Sequence, residues 1–187
     1  MRKNGITLAY RLAWLRGWLG WHLSALLGGL RLRGLMAPRI RYDFELVRAG
    51  VVVDRWSTWN LVTTVGKTDI VDKYLKGSSY TAAWFMGLAG AGTKAVGDTL
   101  ASHAEWAELT PYSGNRPAIT WGTTSGGSNT GSAVSFSITS TATVAGAFIC
   151  SVASGTSGTL YSVGDFAAAR GVANGDTLNV TPTLSVS

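Results

Sequence analysis

At 187 residues the chain has the length of one domain with an arm, and its charge is split: residues 1–41 hold eight of the sixteen Lys/Arg and no acid (+8), residues 42–187 the other eight against all ten Asp/Glu (−2). The pI of 9.8 therefore describes the arm, and a uniformly basic nucleic-acid-binding body is excluded. A single cysteine, Cys150, excludes an intrachain disulfide framework and a multi-Cys zinc site, and two histidines, His22 and His103, leave little for a His-based metal or catalytic centre.

In the arm, residues 1–41, Leu8, Leu12, Leu15, Leu19, Leu23, Leu26 and Leu30 recur every three or four positions, the spacing of one helical face. The longest charge-free run, Gly17 to Leu30, is fourteen residues, short of the roughly 18–20 that a transmembrane span needs. Arg31 and Arg33 fit poorly with a secretory signal and its small-residue cleavage site. A basic amphipathic helix that docks on a partner or an anionic surface fits best, with Arg11, Arg16, Arg31 and Arg33 as interface candidates. Met36 offers an alternative start, which would make residues 1–35 an upstream extension, and Gly17, Gly20, Gly28, Gly29 and Gly34 weaken any long helix.

Residues 42–187 read as the second domain. YDFELVRAGVVVDRWSTWNLVT predicts two strands around a turn at Arg48-Ala49-Gly50, with Phe44, Leu46, Val51 and Val53 as the apolar alternation. Thr68 or Asp69 can cap a short helix, TDIVDKYLKG, which Gly77 closes. AAWFMGLAG reads as a buried strand, DTLASHAEW as one or two helical turns, and AELTPY as a strand after them. From Ser113 onward the chain is nearly free of charge: after Arg116 only Asp165, Arg170 and Asp176 remain. AVSFSITS places Val134, Phe136 and Ile138 on one face, and VAGAFICSV, GTLYSVGDF and DTLNVTPTLSV are further strands, with a strong turn at Asn174-Gly175-Asp176. Short strands at such intervals predict a mainly β protein, an antiparallel β-sandwich or jelly roll with one or two short helices.

The signals for chemistry are near misses. GLAGAGTK (Gly87 to Lys94) resembles a phosphate loop, but Lys94 is displaced by one position and no long helix follows. Asp98, Ser102 and His103 supply the residue types of a hydrolase triad from one short segment, where the side chains cannot converge, and there is no Gly-x-Ser-x-Gly elbow. Glu105 and Glu108 flank Trp106 like a sugar-cleaving carboxylate pair, yet one short surface segment bearing two glutamates is commoner. Cys150 sits in an apolar run and reads as a buried structural thiol. No catalytic residue, metal site or cofactor is expected. Of the body's five tryptophans, Trp84 is expected in the core, whereas Trp56 and Trp59 sit among polar residues near a turn, where interface and core are equally open, and stand as interface candidates.

The run NLVTTVGKTDIVDKYLKGSSYTAAWFMGLAG, then GDTLASHAEW with Glu108, Tyr112-Ser113 and Arg116-Pro117, and the close GTLYSVGDFAAARGVANGDTLNVTPTLSVS are similar to small virion structural proteins of tailed bacteriophages. The resemblance covers roughly residues 42–187 and not residues 1–35. It implies a capsid decoration, or cement, protein of jelly-roll type on the capsid surface, bound to the major capsid protein and to copies of itself. Direct nucleic-acid and membrane partners are not expected, and the resemblance brings no catalytic residues. A tail, baseplate or fibre component of the same virion is the alternative. A carbohydrate-binding module or hydrolase is the contrasting class, marked by sugar-dependent tryptophan fluorescence.

Overall fold

Strict alternation sets the first strand. In β1 (Pro38–Arg48) Ile40, Tyr42, Phe44 and Leu46 are buried while Arg41, Asp43 and Glu45 point the other way. The computed structural model describes residues 38–80 and 83–186, so the expected arm helix, with Arg11, Arg16, Arg31 and Arg33, lies outside the described residues. Pro38 and the three residues that follow it already belong to β1, ahead of the boundary at residue 42 that charge alone sets.

The chain reverses at Ala49 (φ 51°) and Gly50 (φ 78°) into β2 (Val51–Trp59). Two successive left-handed residues form the type I′ turn, whose twist matches that of the paired strands. The register then shifts between Leu46 and Val47, leaving Val53 without a cross-strand partner, the mark of a β-bulge. One expectation changes: with Trp56 opposite Phe44 and Asp54 opposite Leu46, Val51 and Val53 do not continue the Phe44 and Leu46 core face but stand 64% and 49% exposed.

Two antiparallel sheets result. In the first, β1 lies between β2 and β10 (Thr177–Val186), and β10 also pairs with β6 (Ser128–Thr130) and β7 (Val134–Ser137). Pro38 lies opposite Val186, so the first and last strands run side by side over their whole length. The second sheet has the order β3 (Leu61–Val62), β9 (Leu160–Val172), β8 (Ala142–Cys150), β4 (Phe85–Ala89), β5 (Glu108–Leu109). Ile40, Phe44, Phe136 and Leu178 from the first sheet share one hydrophobic cluster with Met86, Ala147, Ile149 and Val172 from the second, which makes the fold a β-sandwich.

Strand β8 is apolar on both sides, and every residue from Val144 to Cys150 is buried. Its outward residue Phe148 is covered by Leu100 and Trp106 in a second cluster. That requirement explains why DTLASHAEW is not the one or two helical turns the sequence predicts: it folds as tight turns, with Thr99 bridged to Ser102, that press Leu100 and Trp106 onto the sheet. The expected strand after it shrinks to Glu108–Leu109.

The helix starts earlier than the caps at Thr68 or Asp69 predict. α1 (Thr64–Ile70) is capped by Thr63, whose Oγ1 accepts from Gly66 N–H at 3.1 Å while its hydroxyl donates to Leu160 O in β9. Gly66 lies so close to the Tyr161 backbone that an added Cβ would collide, so the helix packs tightly on β9. It continues as a π-helical turn, Val71–Leu75, and Gly77 (φ 79°) closes it as expected. Among the described residues no helix is long and apolar enough to cross a membrane.

Candidate functional site

Strand alternation gives the first sheet an outer face quite unlike its core face. Along β10 the outward positions are Thr177, Asn179, Thr181, Thr183 and Ser185, between buried Leu178 and Val180 and Pro182. Thr130 and Thr183 hydrogen-bond across β6 and β10 at 3.0 Å, and Ser135 donates to Asn179 Oδ1 at 2.7 Å. Of the nearby outward charges on β1 and β2, Arg55 pairs with Glu45 at 2.8 Å and Arg41 with Asp43 at 2.7 Å, while exposed Arg39, opposite Ser185, is in no ion pair among the described residues. Such exposed pairs add little stability, but they leave this part of the face only weakly charged, with Arg39 uncompensated.

The two tryptophan candidates take different roles on this sheet. Trp59 is opposite Arg41 on the outer side and is 60% exposed. Trp56 faces the core side, stacked on Phe44 with centroids 5.1 Å apart and planes 5° from parallel, and edge-on to Phe166. The Arg170 guanidinium lies 5.1 Å from its ring centre, held by a 2.8 Å bond to Asp54. Trp56 thus closes the core where β2 meets β9, and Trp59 with Val51 and Val53 forms the exposed apolar part of β2. Among the described residues β2 has one strand neighbour, β1, so it ends its sheet.

The near-miss motifs each have a structural occupation. Lys94 Nζ donates to Gly90 O at 2.7 Å and Gly92 O at 2.9 Å and pairs with Asp165 at 2.7 Å. Its three donors are thereby used in pinning the glycine loop to β9. The Asp98 carboxylate accepts from Trp106 Nε1 and Ala95 N–H, while His103 stacks on Trp106 at 3.9 Å and its Nδ1 meets Trp106 O at 2.8 Å. These residues build the turn that covers Phe148. Glu108 is gripped at both oxygens by Arg116, at 2.7 and 2.6 Å, while Glu105 is exposed. Burial pushes the Cys150 thiol up from its ordinary value; it is the buried thiol the sequence predicts.

A further feature has no counterpart among the sequence motifs. An open cleft of about 560 Å³ lies beside α1 and the π-helical turn. Trp84 and Trp121 line it with Tyr74 and Tyr80, and Asp69 and Lys73 supply its charges. Tyr74 and Tyr80 meet edge to face at 5.5 Å, and Trp84 meets Tyr161 the same way at 5.1 Å. Burial, with a smaller contribution from Asp69, pushes the Tyr161 phenol up to about 12, so it is a neutral hydrogen-bonding group at physiological pH. Trp84, expected in the core, is only half-buried because one side of it belongs to this cleft. The unusual number of body tryptophans was the one sequence signal for it. No family model matches this chain, and no curated protein matches it either.

Proposed function

We propose that the chain is a virion structural protein of the tailed-bacteriophage kind, a capsid decoration or cement protein that binds the assembled head shell and is not catalytic. The observation that carries this reading is the outer face of the first sheet: a hydroxyl-rich, weakly charged surface beside the exposed Val51, Val53 and Trp59 of its terminal strand. A cement protein has to lie flat against neighbouring subunits in a symmetric array, where a strong field of one sign would repel the next copy. Such a face avoids that repulsion, and exposed apolar side chains supply burial on contact. Each contact can be modest, because many copies on one shell add by avidity. The partners are the major capsid protein and further copies of this chain, the latter through the free side of β2.

Cryo-electron microscopy of particles from the source that encodes the chain is the test. Density for the 38–186 sandwich in many copies on the icosahedral shell is the expected result. Density confined to the tail would overturn the capsid assignment, and absence from the particle would overturn the virion reading altogether. Binding to undecorated shells separates the surface from the location: Trp59→Ala combined with Val53→Ser should release the protein at lower dilution than wild type.

A further inference from the structure

We propose that the cleft beside the π-helical turn is a binding site for a neutral oligosaccharide. The assignment needs only the cleft and is independent of the virion reading. A volume of about 560 Å³ lies within the range of small-ligand clefts, with room for a short run of sugar rings. Its aromatic surface is presented outward: Tyr74 and Tyr80 are 72% and 68% exposed, more than the intermediate burial usual for tyrosine. They stand against each other edge to face, so the pair holds its shape without a ligand.

The polar groups select among ligands. Asp69 offers only acceptors and Lys73 only donors, and the tyrosine hydroxyls offer both. A pyranose matches that mixture, because it presents a C–H face for an aromatic ring and a rim of hydroxyls that donate and accept. An acyl chain does not match, since it would strip water from Asp69 and Lys73 without replacing their hydrogen bonds. A phosphate or sulfate does not match either, since Lys73 is offset by Asp69 one helical turn away and anion sites gather several cationic donors. The backbone supports the same conclusion. The chain departs from α-helix at Val71 and runs as a π turn to Leu75, an irregularity that recurs at functional sites. Asp69 and Ile70 at the end of α1 and Lys73 and Tyr74 in the π turn all line the cleft.

The test uses the full chain. Maltotriose, cellotriose, mannotriose and tri-N-acetylchitotriose are titrated one at a time, followed by intrinsic tryptophan fluorescence and by calorimetry. At least one should bind saturably in the millimolar range or tighter with a change in tryptophan emission, as Trp84 and Trp121 line the cleft. Tyr74→Ala should weaken that binding at least fivefold while leaving the far-ultraviolet circular dichroism unchanged, because Tyr74 is largely exposed. Asp69→Asn should weaken it as well, without creating affinity for inorganic phosphate. Failure of all four sugars to saturate overturns the proposal. So does binding that Tyr74→Ala leaves intact, or tighter binding of inorganic phosphate than of any sugar.

Discussion

Arg116 is the clearest case of one side chain holding distant segments together. Its guanidinium donates to both Glu108 oxygens, to Val152 O at 3.1 Å and to Gly155 O at 3.0 Å, and lies 5.4 Å from the centre of the Phe148 ring. Arg116→Ala leaves the Glu108 carboxylate without its partner and strips a donor from Gly155 O and Val152 O, the latter keeping only the weak Cys150 thiol, and we expect a loss of about 3–5 kcal/mol, read from urea denaturation. Arg116→Lys should recover only part of it, since an ammonium cannot form the bidentate fork. The sequence displays Glu108 beside Glu105 and invites a carboxylate-pair reading; that its partner is Arg116 depends on how the chain folds over β5. Asp176 is a second such residue. The hydrogen bonds from Arg48, at 2.8 and 2.7 Å, hold its carboxyl below the ordinary aspartate value against the opposing effect of burial, and Ala173 N–H assists. The folded value lies below the unfolded one, so this group stabilises the fold above the ordinary aspartate range. That contribution disappears as pH falls through the range toward the folded value. Thermal midpoints should therefore drop on acidification, and Asp176→Asn should flatten the drop while lowering the neutral-pH midpoint.

At the scale of elements, the strands were legible and the connections were less so. Alternation in β1, β7 and β10 needs only local reading, because one face of each strand is buried. The bulge in β2 cannot be read that way, since a register shift is a relation between two strands. The helix start was misplaced for a similar reason: Thr63 wins as the cap because its hydroxyl also reaches Leu160 on β9, a tertiary contact that Thr68 and Asp69 lack. DTLASHAEW lost its helix to the need to cover Phe148. The β1–β2 turn leaves an improvable position, because Ala49 adopts a left-handed conformation that costs a residue with a Cβ roughly 1 kcal/mol. Ala49→Asn, giving the Asn-Gly pair that type I′ turns favour, should raise the unfolding free energy by up to about 1 kcal/mol, read from urea denaturation.

At the scale of the whole molecule, the core is aromatic and its phenols are part of it. Tyr42 accepts or donates at 3.0 Å with Ser162 and accepts from Asn60 at 2.8 Å; burial raises it well above its ordinary value and carries Tyr112 and Tyr161 to about 12. These folded values exceed the unfolded value near 10, so the stabilisation is complete below about pH 10 and is lost as pH rises toward 12. An absorbance titration of phenolate should show a late fraction that appears together with loss of near-ultraviolet circular dichroism. The cleft is also a property of the whole molecule. Residues near positions 70, 84, 121 and 184 meet there, separated by whole strands, and no local spacing could announce it. The aromatic surplus was visible, while its assembly into one wall was not.

The pairing of Pro38 with Val186 has a mechanical consequence. Tension drawn through these two positions acts at one end of an antiparallel ladder and peels β1 from β10 one hydrogen-bonded pair at a time. Tension between the β1–β2 turn and Val186 would instead slide the ladder lengthwise and load all its bonds together. Single-molecule pulling from the two attachment geometries should give a much lower rupture force for the first. A molecule of this build resists strain applied along the β1–β10 ladder and yields readily when drawn apart at Pro38 and Val186.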